Sequence, residues 1–327
     1  MSARSVVALM TGASVLAAGN GQTSVQVVVP VYNGGVVWRE AASALRNAVA
    51  ACRYPVHVLV VDSSSRDDSV RTARECGFDV QVIDSATFDH GGTRNAAAMA
   101  CDADVVVFLT QDAIVEGGGA LDALVDVFVD DQVAVAYGRQ LPHRDANPIA
   151  AHARQFNYRS ASYVCGKVDI PVMGIKAAFT SNSFSAYRLS VFRELGGFPV
   201  RTILSEDMYF AARAVLAGYR VAYVAQAEVR HSHNYTPLQE FRRYFDIGVF
   251  QREEAWIGRE FGGAGGEGAR FLKSELRYLL DNAPLWLPRA WVHDFLKIVG
   301  YKLGKNHERL PAGWKPRLSM NRKYWES

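Results

Sequence analysis

The sequence predicts an α/β protein, with a mostly parallel sheet flanked by helices and a helical C-terminal extension. Three observations carry this. Short Val-rich runs alternate with helix-like segments through the first half of the chain. Those runs are apolar throughout, as strands covered on both faces must be. From residue 237 onward the pattern is almost wholly helical, broken by a glycine-rich run at 262–266 and by prolines at 284 and 288.

The elements follow in order. Residues 25–30 read as a strand, 36–51 as a helix, and 56–61 as a strand. Residues 69–76 are helical, 80–83 extended, 93–101 helical and 105–109 extended. A helix at 120–128 leads to a strand at 133–137. The second half is mixed, with a strand at 179–187, a helix at 189–195 and a turn at Gly196-Gly197-Phe198-Pro199. A helix at 206–217 follows, with Gly218 suited to its C-cap. Short strands are predicted at 221–224 and 228–231. Ligands of such sheets bind beyond the carboxyl ends of the strands. The residues that matter most are therefore Val31-Tyr32-Asn33, Asp62-Ser63-Ser64, Asp84 and Thr110-Gln111-Asp112.

The bulk properties narrow the class. The chain has 327 residues, 49% hydrophobic and 21% charged, with a net charge of +3. Disordered, collagen-like and small disulfide-stapled classes are excluded, and the weak basic excess does not support a nucleic-acid partner. The cysteines, Cys52, Cys76, Cys101 and Cys165, form no C-x-x-C pair, so they read as reduced thiols of a cytoplasmic protein. Residues 5–38 carry no charge, but the apolar part, 6–18, is too short to span a bilayer. It reads as a leader or short surface helix, with a cleaved signal as the alternative. The expected organisation is a leader over 1–23, the α/β domain over 24–262 and the helical extension over 263–327.

The charge is unevenly divided. Residues 286–327 hold nine Lys/Arg against three acids, net +6, leaving −3 for the first 285. The same segment holds Trp286, Trp291, Trp314 and Trp325. Such a tail either lies on an anionic membrane as a peripheral contact or caps the domain or a partner subunit. The sequence does not fix the oligomeric state, and a homo-oligomer is among the arrangements it allows.

Several constellations could carry chemistry, and each has a plainer reading beside it. Asp62 can accept hydrogen bonds from a base or ribose, or serve as a turn acid. The segment Phe88-Asp89-His90-Gly91-Gly92-Thr93-Arg94-Asn95 precedes a helix, so it suits a phosphate, or it is a loop with a surface arginine. It is neither G-x-G-x-x-G nor a P-loop. Asp112 can hold a divalent metal through one oxygen. Glu206-Asp207 opens a helix, where acids favour the dipole, but a general base fits too. In His231-Ser232-His233, alternation puts one imidazole toward the site and the other away. Arg242 and Arg243 are a solvated helix face or a diphosphate clamp.

The order of these weak motifs resembles the inverting glycosyltransferases of family 2, which have the GT-A fold. V-V-P-V-Y-N and V-V-D-S-S-S match that family. F-D-H-G-G-T-R-N, F-L-T-Q-D-A, T-S-N-S-F-S-A-Y, L-G-G-F and S-E-D-M-Y-F look like its bacterial rhamnosyltransferase branch, over residues 25–251. The resemblance implies that Pro30, Tyr32 and Asp62 hold the nucleobase and ribose. It puts His90, Gly91, Arg94 and Gln111 at the nucleotide sugar, and Arg242 and Arg243 at the diphosphate. It makes Asp207, with Glu206 beside it, the catalytic acid pair. Asp112 and His231 would bind a divalent metal, Mg2+ or Mn2+, with His233 as a rival ligand. The family's D-x-D stands here as Thr110-Gln111-Asp112, so its first acid is missing. The implied donor is dTDP-β-L-rhamnose, and the implied acceptor is a polysaccharide or lipid-linked glycan. Residues 146–174, with Phe156, Tyr158 and Tyr163, would shape the acceptor side. The alternatives are a UDP- or GDP-sugar donor, or a non-catalytic nucleotide-sugar-binding subunit. The implied location is the cytoplasm or the inner face of its membrane.

Overall fold

The Val-rich runs do become the centre of a sheet. The computed structural model describes residues 22–263 and 266–326; the predicted leader lies almost wholly outside them. The first half runs β1 (Val25–Val31), α1 (Gly35–Ala51), β2 (Val56–Asp62), α2 (Ser69–Glu75), β3 (Asp79–Val82), α3 (His90–Ala100) and β4 (Val105–Leu109). Then come β5 (Ile114–Glu116), α4 (Ala120–Asp126), β6 (Val133–Leu141), α5 (Pro148–Asn157), β7 (Tyr163–Cys165) and α6 (Ile170–Met173). The remainder is β8 (Phe184–Arg188), α7 (Leu189–Glu194), α8 (Glu206–Leu216), β9 (Arg220–Arg230), α9 (Pro237–Glu253), α10 (Ala255–Phe261), α11 (Glu267–Asn282), α12 (Leu287–Lys305) and α13 (Lys315–Leu318).

The strand order is β3-β2-β1-β4-β8-β6-β9-β5, with β7 beside β9. β1 to β4 form a parallel core, in register Val27 with Val58 and with Val107. β8 joins β4 antiparallel and carries the sheet on to β6 and β9. The pleat divides the apolar side chains between two cores. Val25, Val27 and Val29 pack with Trp38, Leu45 and Leu121 on one face. Val28 packs with Phe108, Tyr187, Phe192 and Phe210 on the other. Cys165 sits in this second core, where burial pushes its thiol up to about 12.

Some boundaries differ from the sequence reading for local reasons. α3 starts at His90, because Asp89 Oδ1 accepts the Gly92 N–H at 2.6 Å and caps the helix there. The two short strands predicted near residue 225 are one strand, β9, whose register with β6 shifts at Gly138/Arg139. β5 and β7 have three residues each, too few for a periodic signal.

The helical extension is packed on the domain. Gly248 of α9 faces Gly304 of α12, and Gly300 of α12 faces the Phe241 backbone of α9. A Cβ on Gly304 would lie 2.0 Å from the Phe245 carbonyl oxygen, and one on Gly300 would lie 2.3 Å from that of Phe241. The two backbones therefore touch, and only hydrogen fits between them. Gly304→Val is expected to force the helices apart and cost about 3 kcal/mol; a urea unfolding midpoint checks it. Of the tail tryptophans, Trp325 packs against Phe245 and His307, while Trp291 and Trp314 are exposed.

Candidate active site

The carboxyl ends of β1, β2 and β4 lie side by side at one edge of the sheet. At the end of β2, Asp62 is 1% exposed. Its Oδ1 accepts the Ser65 N–H at 2.9 Å, and its Oδ2 is buried without a partner. A buried acceptor left open is costly unless a ligand satisfies it. Tyr32, just beyond β1, is 53% exposed and free to stack on a flat ring. The Tyr32 turn is held from below. Gln111 Oε1 accepts the Tyr32 N–H at 2.7 Å, and Ser69 Oγ accepts the Gly34 N–H. Gln111 is thus a clamp on the end of β1, and Pro30 is part-buried within that strand.

Asp112, His231 and His233 form a cluster whose ligand atoms lie within 4.8 Å of one another. His231 Nε2 is 3.5 Å from Asp112 Oδ1, and His233 Nδ1 is 3.7 Å from Oδ2. Both imidazoles face the carboxylate, against the expectation that one would turn away. β9 ends at Arg230, so the strict alternation of an extended strand has lapsed. The tautomer of His231 is fixed by chemistry. Its Nδ1 is 3.0 Å from Gln140 Oε1, an oxygen that can only accept. Arg154 donates to the same oxygen, which sets the amide orientation. Nδ1 therefore carries the proton and Nε2 presents its lone pair to the cluster. Burial pushes both histidines down, His233 to about 4, so they are neutral near pH 7. Burial alone would raise Asp112, but His231 and His233, whenever they carry a proton toward it, and the Thr110 hydroxyl hold it well below the usual carboxylate range. One anionic oxygen donor and two neutral nitrogens fit a divalent cation that accepts both donor types.

Asp207 opens α8. Ser205 before it has φ +61°, a strained conformation for a residue with a side chain. Asp207 Oδ2 accepts the Asn182 N–H at 2.9 Å, and Oδ1 accepts the Met208 N–H at 2.8 Å. Burial and the adjacent Glu206 carboxylate push Asp207 up to about 6. Glu206 is 6% exposed, and its Oε1 accepts from Arg94 Nη1 at 2.9 Å and Asn182 Nδ2 at 3.0 Å. Arg94 thereby keeps Glu206 ionised.

These contacts correct several expectations. Glu206 is buried and bonded to Arg94 and Asn182, and its charge raises Asp207. Arg94 is 4% exposed and spent on Glu206. The start of α3 is already occupied by the Asp89 carboxylate, which repels a phosphate. Gly91 serves packing, since a Cβ there would lie 3.1 Å from the Pro199 carbonyl oxygen. His90 is an exposed first-turn residue stacked edge-on with Phe88. Asp84 caps its own turn through the Ala86 N–H. Tyr158 is core, and Tyr163 is bonded through its hydroxyl to Tyr137 at 2.7 Å.

A continuous chain joins the two halves of the site. Gln140 Nε2 donates to Ser181 Oγ at 2.9 Å, and the next residue, Asn182, holds Asp207. Asn182 Oδ1 in turn accepts from Ser185 Oγ at 2.9 Å and Tyr187 OH at 2.8 Å. Asn182, Gln140 and Arg154 were not singled out from sequence. Extending the predicted strand at 133–137 to its true end at Leu141 would have flagged Gln140.

Beside His233 opens a cavity of about 570 Å3 between α5, α9, α11 and α12. Arg243 lies against it, stacked over Tyr235 at 5.9 Å, whereas Arg242 does not. Phe156, Tyr244 and Phe271 give it flat apolar walls. Lys297, 8% exposed, sits 3.5 Å from Asp294 and 3.9 Å from Glu240. Burial and the Asp294 carboxylate push the adjacent Glu275 up to about 8.

The family model of glycosyl transferase family 2 matches residues 26–196. The O-antigen chain rhamnosyltransferase RfbN of Salmonella typhimurium is 52% identical over 305 residues, 93% of this chain and 96% of that protein. The O-antigen chain rhamnosyltransferase WbaN of Salmonella anatum is 52% identical over 306 residues, again 93% and 96%. Among solved structures, the mannosyltransferase PcManGT from Pyrobaculum calidifontis, in complex with GDP-Man and Mn2+, aligns with TM-score 0.54. It covers 92% of this chain and 84% of its own, at 17% identity, a likeness of fold.

Proposed function

The chain belongs to glycosyl transferase family 2, and on that premise we propose that it transfers L-rhamnose from dTDP-β-L-rhamnose to a glycan hydroxyl with inversion. That it is a glycosyltransferase follows from the family. The sugar is carried over from the two Salmonella rhamnosyltransferases, whose length this chain spans almost fully. The observation that carries the mechanism is the link from Asp112 and His231, through Gln140 and Ser181, to the Asn182-held Asp207.

Each group has a task. The open Asp62 oxygen accepts a hydrogen bond from the base or ribose, and Tyr32 stacks on the ring. Asp112, His231 and His233 hold a divalent cation, with Mn2+ favoured over Mg2+ because imidazole is a poor ligand for Mg2+. When bound, the cation neutralises charge developing on the leaving diphosphate. Arg243, beside His233, adds a second positive charge there. Asp207 takes the proton from the acceptor hydroxyl as its oxygen bonds to the anomeric carbon and the carbon–phosphate-oxygen bond breaks. One base suffices for one displacement, and no covalent nucleophile is needed.

The acceptor glycan occupies the cavity beside His233. Flat rings of Phe156, Tyr244 and Phe271 suit the apolar faces of sugars, and Glu240, Asp294 and Lys297 suit their hydroxyls. A thermal-shift panel of dTDP, UDP and GDP with Mn2+ tests the donor. A bound nucleotide stabilises by mass action, so dTDP should raise the melting temperature most. A larger rise with UDP or GDP would overturn the donor assignment.

A further inference from the structure

The outer faces of α11 and α12 carry apolar stripes left open to solvent among the described residues. On α11, Leu272, Leu276 and Leu280 recur every fourth residue and are 40%, 44% and 55% exposed. On α12, Trp291, Phe295 and Ile298 are 67%, 65% and 47% exposed. The inner faces are committed. Glu275 and Leu279 of α11, and His293, Lys297, Gly300 and Gly304 of α12, are buried. The exposed stripes therefore belong to helices fixed in orientation by close packing. Leu272 and Ile298 both line the cavity beside His233, so each stripe reaches that cavity.

Charge surrounds this apolar face asymmetrically. Lys273 and Arg277 are exposed next to the leucine stripe, and Lys302 continues the Trp291–Phe295–Ile298 line one turn on. The acids of the two helices mostly point elsewhere. Glu275 is buried, Asp294 approaches Lys297, and Glu267 is paired with Lys176 and Arg270. Asp281 is the exposed exception.

We propose that the α11–α12 face docks on an anionic lipid bilayer. Both helices lie along the surface, their apolar stripes reach the acyl boundary, and Lys273, Arg277 and Lys302 meet the headgroups. A tryptophan and a phenylalanine flanked by bases suit that boundary, and the exposed basic collar selects anionic lipid. The cavity that both stripes reach then lies beside the membrane. This goes beyond the transfer reaction and does not rest on it, because lipid alone is the probe.

The test is flotation of the full chain with vesicles of equimolar phosphatidylcholine and phosphatidylglycerol, against phosphatidylcholine alone, with no sugar present. The chain is expected to float with the mixed vesicles and about tenfold less with the neutral ones. Trp291→Ser/Phe295→Ser, both exposed positions, should weaken flotation about tenfold or more with an unchanged melting curve. If that variant fails to fold, Lys273→Glu/Arg277→Glu should remove the preference for the anionic vesicles. Absence of flotation by the native chain, or native flotation by a folded variant, overturns the proposal. A solution dimer lost in the double variant, without flotation, assigns the face to a second copy and overturns it equally.

Discussion

Asp207→Asn is expected to lose transfer by about 10³-fold or more while donor affinity stays within a few-fold. The amide keeps the shape and can still accept from the Asn182 N–H, but it cannot take a proton. The loss should therefore fall on kcat rather than on nucleotide binding. Burial and Glu206 raise Asp207 to about 6, which also sets a pH profile. A base works only when ionised, so kcat should fall about tenfold per unit as pH drops below about 6. Above that value it should level off. The acid limb should disappear in Asp207→Asn. Steady-state kinetics and calorimetric donor titration across pH read both parts. Full activity in the variant would remove Asp207 from the mechanism.

Asp112→Ala carries the second large effect. Asp112 is the anionic member of the cluster, so without it the two neutral imidazoles hold a cation weakly. Stabilisation of the departing diphosphate is worth several kcal/mol, so activity should drop about 10³-fold. In the native protein, chelation should weaken donor binding and Mn2+ should restore it. In the variant the affinity should be the same with and without Mn2+. A metal-dependent affinity that survives the substitution would place the cation elsewhere.

Much of the fold was legible because buried parallel strands have a strong signature. The runs around Val27, Val58 and Val107 had one consistent reading. The strand-end rule then pointed to Asp62 and Asp112, and the fold places both at the carboxyl ends of the strands that flank β1. The signal faded where contacts are long-range and elements short. Asn182 gains its role only when a turn before β8 meets the start of α8, and nothing in its neighbours announces that. Arg94 misled for the same reason. An arginine after two glycines looks like an anion site, but its partner Glu206 is 112 residues away. The histidines show a limit of local geometry, since alternation holds inside β9 and lapses beyond it. The cavity rests on α5, α11 and α12, which only the tertiary packing brings together.

The tail also reads differently in three dimensions. The basic, tryptophan-rich segment suggested either a membrane contact or a cap; part of it packs on the domain and part is exposed. Trp325 closes over Phe245, while Trp291 stays outside in line with Phe295. The glycine contacts between α9 and α12 explain why one face of α12 is packed while the other is exposed. They lock one face of α12 so tightly that the other is presented as a rigid surface.

The central claim is a single displacement at the anomeric carbon with Asp207 as the only base. The most direct measurement is NMR assignment of the anomeric configuration of the first product from dTDP-β-L-rhamnose and a lipid-linked oligosaccharide acceptor. The account predicts an α-rhamnoside. A β-rhamnoside would require two displacements through a covalent intermediate and would contradict it.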